Sequence, residues 1–383
     1  MRVDSVVGGK RLYIIAGEAS GDLHGGNLVR ELIHCARSDG KELWIRAWGG
    51  DRMSVAGAEV VKHYSELAFM GFTQVVLNLR TILRNIDGCK RDIESFKPDA
   101  LVLIDYPGFN LRIAEWAHQR GIPVHYYISP QVWAWKKGRV QTIKKVVDRM
   151  YVILPFEKEW YARYGMDVEF VGHPLLDAIE QEGRTPLEPL PGADGRPVVA
   201  LLPGSRRQEI SRMLPLMARV AEHFPEFRFV LAAAPSVPDD TYAEVIGKAP
   251  ITVVKGRSYD VLRTAKAGLV TSGTATLETA LFGVPEAVCY SGGALNVWIA
   301  RRLVDIKFIS LVNLIMGREV VRELIQNDLS VENLVKELDR LMKEGDYRDR
   351  MIKDLAALRG KLGGPGASRA VATAVWKSVE GAS

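Results

Sequence analysis

Residues 12–22 read Leu-Tyr-Ile-Ile-Ala-Gly-Glu-Ala-Ser-Gly-Asp: an unbroken apolar run, a glycine-bearing turn, then the helical spacing of residues 23–36. A strand with apolar side chains on both faces must be covered on both. That is the mark of a parallel strand inside an α/β sheet, not of a half-exposed antiparallel one. The same order of signals recurs along the chain. Residues 43–48, 100–104, 124–128, 150–154 and 168–171 read as strands, most followed by helix-length segments such as 111–120. Residues 173–197 then carry five of the chain's 18 prolines, the composition of a linker. Beyond it strands are expected at 198–202, 228–233, 252–254, 268–271 and 287–290. From residue 320 onward the pattern is helical only, at 334–342, 351–358 and 368–379. The fold class expected is therefore α/β, with two Rossmann-like domains facing a central cleft and a helical C-terminus. The boundaries are 1–172 for the first domain, 173–197 for the linker, 198–360 for the second domain and 361–383 for a C-terminal helix.

Composition narrows the class. With 383 residues, 47% hydrophobic and 25% charged, the chain is globular and large enough for two cores. No window approaches the ~18 apolar residues of a membrane span, and the first ten residues are too polar for a signal peptide. Cys35, Cys89 and Cys289 are isolated and odd in number, which suits a reducing compartment. The net charge of +5 is compatible with phosphates, acidic lipid or nucleic acid. It is small, and mixed along the chain, for a dedicated nucleic-acid binder.

Each half carries a glycine turn directly after a strand and before a helix. The first holds Gly17, Glu18, Ser20 and Gly21; the second holds Ser272, Gly273 and Thr274, with Glu278 one turn further on. Helix N-termini offer unpaired N–H groups to a phosphate, and a carboxylate such as Glu278 can accept from a ribose diol. The same residues would also serve as tight turns with Ser/Thr caps. A third segment, 202–210, ends the first strand of the second half: Gly204 permits a sharp turn, Ser205 follows, and Arg206 could hold a diphosphate or simply pair with Glu209. In the segment 104–110, Asp105 stands at the C-terminal end of a strand, where open α/β sheets place ligands. It reads either as a general base or as a cap for the helix beginning near Asn110. The segment 127–139 sets Ser129, Gln131, Trp133 and Trp135 beside Lys136, Lys137 and Arg139, a pattern suited to sugar faces and phosphate, or to a core edge followed by a solvated helix. Phe72, Val75, Val76, Leu79, Ile82 and Leu83 form an apolar stripe at helical spacing with Arg80 and Arg84 nearby. Such a stripe packs into a core or rests on an anionic bilayer. The seven histidines show no ligand spacing, so no metal or other cofactor is expected.

Taken in order, AGEASGD (16–22), IDYPGFN (104–110), SPQVWAW (129–135), LPFEKEWY (154–161), VGH (171–173), LLPGSRRQEI (201–210), SGTATLE (272–278) and FISLVNLIMGRE (308–319) resemble the lipid-A-disaccharide synthase family, inverting glycosyltransferases of the GT-B fold. The resemblance implies that a UDP-linked 2,3-diacylglucosamine is transferred to the 6-hydroxyl of 2,3-diacylglucosamine 1-phosphate, giving the β-1,6-linked disaccharide 1-phosphate and UDP. It makes the first domain the acceptor domain and the second the donor domain. It places the family's base on Asp105, its arginine on Arg206 and its asparagine on Asn313, within Leu311-Val312-Asn313-Leu314 where the family usually has Leu-Pro-Asn-Leu. It further implies peripheral attachment to the inner face of the inner membrane, no nucleic-acid partner, and a homodimer that exchanges residues beyond about 360. Two other readings stay open on the residues alone: a related activity such as UDP-GlcNAc 2-epimerisation, and a non-catalytic acidic-lipid-binding protein.

Overall fold

The computed structural model describes residues 9–67, 79–133, 138–235, 237–292 and 307–381. The chain divides into two compact units, residues 1–180 with 364–383, and residues 181–363.

Unit 1 is built on a seven-stranded parallel sheet in the order β3-β2-β1-β4-β5-β6-β7. Its strands are β1 (Lys10–Ala16), β2 (Leu43–Gly49), β3 (Glu59–His63), β4 (Ala100–Ile104), β5 (Val124–Tyr127), β6 (Arg149–Val152) and β7 (Glu169–Phe170). The continuous apolar run of β1 is explained by its two faces. Leu12, Ile14 and Ala16 enter one core with α1 (Ala19–Ser38) and α2 (Asp51–Ala56), while Tyr13 and Ile15 enter the other with α3 (Leu79–Phe96) and α4 (Pro107–His118). The connections wind one way after β1 and the other way after β4, so the topological switch point lies between these two strands. Open α/β sheets bind ligands outside the strand ends at that point. Here those ends are Gly17 and Asp105.

Helices α5 (Arg139–Val146), α6 (Pro155–Ala162) and α7 (Leu175–Gly183) complete this part of the chain. The last of these corrects the linker expected at 173–197. Its Leu175, Leu176, Ala178 and Ile179 are buried, Pro174 precedes it as a helix start, and the regular structure ends only at Gly183.

Unit 2 holds a six-stranded parallel sheet in the order β10-β9-β8-β11-β12-β13. The strands are β8 (Val198–Leu202), β9 (Arg228–Ala233), β10 (Ile251–Lys255), β11 (Ala265–Thr271), β12 (Glu286–Tyr290) and β13 (Arg322–Ile325). Its switch point falls between β8 and β11, whose ends lead to Gly204 and to Ser272. Around it lie α8 (Arg207–Ala221), α9 (Asp239–Ile246), α10 (Ser258–Thr264), α11 (Thr274–Leu281), α12 (Leu311–Met316), α13 (Val331–Met342) and α14 (Asp346–Lys361). Strand β13 corrects the expectation of helices alone beyond residue 320.

The final helix, α15 (Ala367–Glu380), belongs to unit 1. Val371, Ala372, Val375, Trp376 and Val379 complete the core that β1 and α1 share. Trp376 Nε1 donates to Asp39 Oδ2 at 2.6 Å, Arg369 Nε to Glu31 Oε2 at 3.0 Å, and Lys41 pairs with Glu380. At its start, the Asp177 carboxylate accepts from the N–H groups of Gly366 and Ser368, capping the helix from α7. No helix among the described residues is long and apolar enough to cross a membrane.

Candidate functional site

At the switch point of unit 1 the backbone is forced. Asp105 and Tyr106 have φ of +45° and +48°, successive left-handed residues that are not glycine. Such residues cost of order 1–3 kcal/mol each and persist only where neighbours over-determine them. Those neighbours can be named. Tyr126 Oη donates to the Asp105 carbonyl at 2.6 Å, and Asn110 Nδ2 donates to the same carbonyl at 2.8 Å and to that of Ile104 at 3.2 Å. The Asp105 N–H donates to the Tyr127 carbonyl, and Pro107 opens α4 in a conformation fixed for a first helical turn. The Tyr106 ring lies over Gly17, where a Cβ would run into it, and stacks on Phe109 at 5.6 Å. The turn thus aims the Asp105 side chain while its backbone is tied down. Burial, and next the negative charge of Glu18, push the Asp105 carboxyl up to about 7, against a bond from the Tyr106 N–H that lowers it. A carboxylate poised near neutrality is what general-base work requires.

The other expected residues of unit 1 divide into those that are accessible and those that are spent on the fold. Glu18 is half-buried at the entry of α1, and Ser20 is exposed in its first turn. Gly17 and Gly21 are buried; Gly21 lets α1 approach β1, since a Cβ there would press on that of Ala16. Asp22 accepts from the N–H groups of Gly50, Arg52 and Met53 and so caps α2. Asn110 is fully buried and acts on backbone carbonyls. Ser129 and Trp133 turn inward, the arrangement of the core-edge alternative for this segment. Ser129 Oγ (2.8 Å) and Trp133 Nε1 (3.2 Å) both donate to Oε1 of the buried Glu157, whose Oε2 accepts from the Leu154 and Ile153 N–H groups. The Trp133 ring packs edge-on against Phe156. Burial pushes the Glu157 carboxyl up to about 7, and these bonds oppose the shift. Only Gln131 of the three is exposed. Residues 134–137 lie outside the described residues, as do Phe72, Val75 and Val76. Of the remaining stripe, Leu79 opens α3, Ile82 packs against the core, and Leu83 is 48% exposed beside the exposed Arg80 and Arg84.

In unit 2, Gly204 has φ +99°, and any side chain there would collide with Glu209. Glu209 Oε2 accepts from the Ser205 and Arg206 N–H groups, and its Oε1 pairs with Arg206 Nη1 at 3.0 Å. The Arg206 side chain is 56% exposed. An exposed ion pair of this kind is worth ~0–1 kcal/mol, so Glu209 holds the guanidinium only weakly. On the adjacent strand, Gly273 and Thr274 are exposed at the N-terminus of α11, and Ser272 Oγ donates to the Ile309 carbonyl at 3.2 Å. Glu278 accepts from Tyr259 Oη at 3.2 Å, and burial raises its pKa. Asn313 is fully buried. Its Oδ1 accepts from the Val320 and Val321 N–H groups, and its Nδ2 donates to the Val321 carbonyl and to Glu323. Val312 is buried in the first turn of α12. Among the described residues no group of three or more His, Cys, Asp or Glu side chains could hold a metal ion.

The comparisons agree with this architecture. Residues 12–374 match the family described as lipid-A-disaccharide synthetase. The lipid-A-disaccharide synthase of Syntrophus aciditrophicus is 41% identical over 374 residues, covering 95% of this chain and 96% of its own. That of Geobacter sulfurreducens is 41% identical over 370 residues, covering 94% and 95%. Among solved structures, the UDP-GlcNAc 2-epimerase of Neisseria meningitidis bound to UDP-GlcNAc superposes with TM-score 0.66 at 13% identity, over 96% of this chain and 100% of that one. The glycotransferase of kitacinnamycin superposes with TM-score 0.66 at 15% identity, over 97% and 99%. These distant structures establish the GT-B fold, while the close relatives establish the activity as hexosyl transfer in lipid A disaccharide synthesis rather than epimerisation. The chain belongs to the lipid-A-disaccharide synthetase family.

Proposed function

We propose that unit 1 takes 2,3-diacylglucosamine 1-phosphate as acceptor, that unit 2 takes UDP-2,3-diacylglucosamine as donor, and that Asp105 is the general base. The observation that carries this reading is the Asp105 carboxylate, fixed at the switch point of its sheet and held near neutrality. Asp105 removes the proton of the acceptor 6-hydroxyl as its oxygen attacks the anomeric carbon. The bond to the UDP oxygen breaks on the opposite face, so an α-linked donor gives a β-1,6 product in one displacement. No covalent sugar–enzyme intermediate is required. Arg206 leaves Glu209 for the departing diphosphate and offsets its charge, with the Ser272–Thr274 turn as the second phosphate contact. Glu278, oriented by Tyr259, accepts from the ribose. Ser20 and Gln131 are the exposed groups left to meet the acceptor.

Acyl chains need an apolar landing. Leu83 with Arg80 and Arg84 offers one at an anionic bilayer, which supports peripheral attachment at the inner face of the inner membrane. Packing of α15 on its own unit also provides the surface through which two copies would trade their last helices. The test of the donor and acceptor assignments is binding and stereochemistry. Calorimetry should give UDP affinity that Glu278→Ala loses, and proton NMR of the product should give a β anomeric coupling. An α product would contradict single displacement.

A further inference from the structure

Asn313 and Glu323 form one polar joint inside unit 2. Glu323 lies on the edge strand β13. Its Oε2 accepts from the Ile309 N–H at 2.9 Å, and its Oε1 accepts from the Ser310 N–H and from Asn313 Nδ2, each at 2.9 Å. Asn313 reaches back across the same gap: Oδ1 accepts from the Val320 and Val321 N–H groups at 2.7 and 3.1 Å, and Nδ2 donates to the Val321 carbonyl at 2.8 Å. Every hydrogen-bonding position of the Asn313 amide is used within the protein, and the residue has no exposed surface. A ligand contact by this side chain would require breaking the joint. The joint instead extends toward the glycine turn, because Ser272 Oγ donates to the carbonyl of Ile309, the residue whose N–H Glu323 holds.

We propose that Glu323 is a positioning residue for the donor diphosphate, acting through the backbone of residues 309–310 on the Ser272 hydroxyl, and that Asn313 serves the same joint rather than touching substrate. Two successive N–H groups at a helix start make a concavity that favours a negative charge, and a carboxylate fills it with two acceptor oxygens. A neutral amide cannot do so, since one of its two ends is itself a donor. The inference rests on the reading of Ser272–Thr274 as the diphosphate turn and extends it to residues that touch no ligand.

The test uses the full-length chain, with UDP calorimetry and separate KM values for donor and acceptor. Glu323→Gln should raise the UDP Kd and the donor KM about tenfold, the scale of a lost charged hydrogen bond, and leave the acceptor KM within about twofold. Glu323→Asp keeps the charge but is too short to reach all its donors at once, and should raise the donor KM several-fold; it reports on the same joint if the glutamine variant does not fold. Ser330→Ala is the control for mere destabilisation. It removes the hydroxyl that caps α13 in the same unit and should leave UDP affinity unchanged. Wild-type UDP affinity and donor KM in folded Glu323→Gln or Glu323→Asp overturns the inference. An equal loss in Ser330→Ala also overturns it, because affinity would then follow the stability of the unit. Absence of UDP binding by the unaltered chain overturns the donor-site reading, and the inference with it.

Discussion

Replacing Glu18 by glutamine should move the pH dependence of the reaction without removing the base. Burial raises the Asp105 carboxyl from its ordinary 3.8 to about 7, and the Glu18 charge is the next cause. A base must be ionised to act. With a pKa of about 7, about half of the molecules are competent at pH 7 and roughly a tenth at pH 6. In the unaltered protein, kcat/KM should therefore climb close to tenfold per pH unit on the acid side and level off above pH ~8. Glu18→Gln removes one negative neighbour and leaves the burial, so the acid limb should shift to lower pH by less than the whole displacement. A shift of ~0.5–1 unit would make the variant ~2–5-fold faster at pH 6. The assay is the initial rate of UDP release across about pH 5–9, with Asp105→Asn as the reference, which should lose ~10²–10⁴-fold on the alkaline plateau and progressively less toward pH 5, where the unaltered base is itself protonated. Stability gives an independent check on the sign. A carboxyl whose folded pKa lies above its unfolded one favours folding most when protonated, and that contribution is lost as pH rises through about 7. At pH 8 Asp105→Asn should be no less stable than the unaltered chain while nearly inactive. An acid limb that stays in place in Glu18→Gln, or wild-type turnover in Asp105→Asn, would refute the reasoning.

Three further outcomes are expected. Trp376→Ala empties the seat of α15 between its neighbours in the unit 1 core and releases Asp39, and should cost ~3–5 kcal/mol in a urea titration. Glu286 is fully buried with neither carboxylate oxygen hydrogen-bonded among the described residues, and burial holds its pKa well above the ordinary value. Glu286→Met should raise stability by ~1–3 kcal/mol, with the gain widening as pH rises above ~4.3, where the unfolded glutamate ionises and the folded one resists. Tyr259→Phe removes the hydroxyl that orients Glu278 and should weaken UDP binding by roughly 5–10-fold in calorimetry, leaving the acceptor KM unchanged.

What could be read in the sequence follows from which forces are local. The strand over residues 100–104 was legible because a parallel strand buried on both faces has no polar residue to interrupt it, and all five of its side chains are indeed buried. The edge strands Glu59–His63 and Arg322–Ile325 escaped notice for the complementary reason. They carry charges, have one open flank, and are defined by backbone pairing to β2 and β12 that no local pattern reveals. The helix Leu175–Gly183 reads as linker because prolines bracket it, although a proline just before a helix starts it. The place of Asp105 directly after a strand is legible in the sequence, but the left-handed turn that it opens depends on Tyr126 and Asn110. The two readings of Trp133 and Ser129 stay undecided in the sequence because their partner, Glu157, lies 24 and 28 residues away. Glu209 left a usable trace, a glutamate three residues into a helix behind a glycine turn, which is the spacing of a carboxylate that caps its own N-terminus. Glu323 left none, since its partners are set by the pairing of an edge strand.

The central claim is tested most directly by mass spectrometry of the products formed from UDP-2,3-diacylglucosamine and 2,3-diacylglucosamine 1-phosphate. The unaltered chain should give a tetraacyl disaccharide 1-phosphate and one equivalent of UDP, and Asp105→Asn should form both at least about a hundredfold more slowly at pH 8. Disaccharide formed at equal rate by both proteins would contradict it, as would UDP-ManNAc appearing from UDP-GlcNAc with no disaccharide at all.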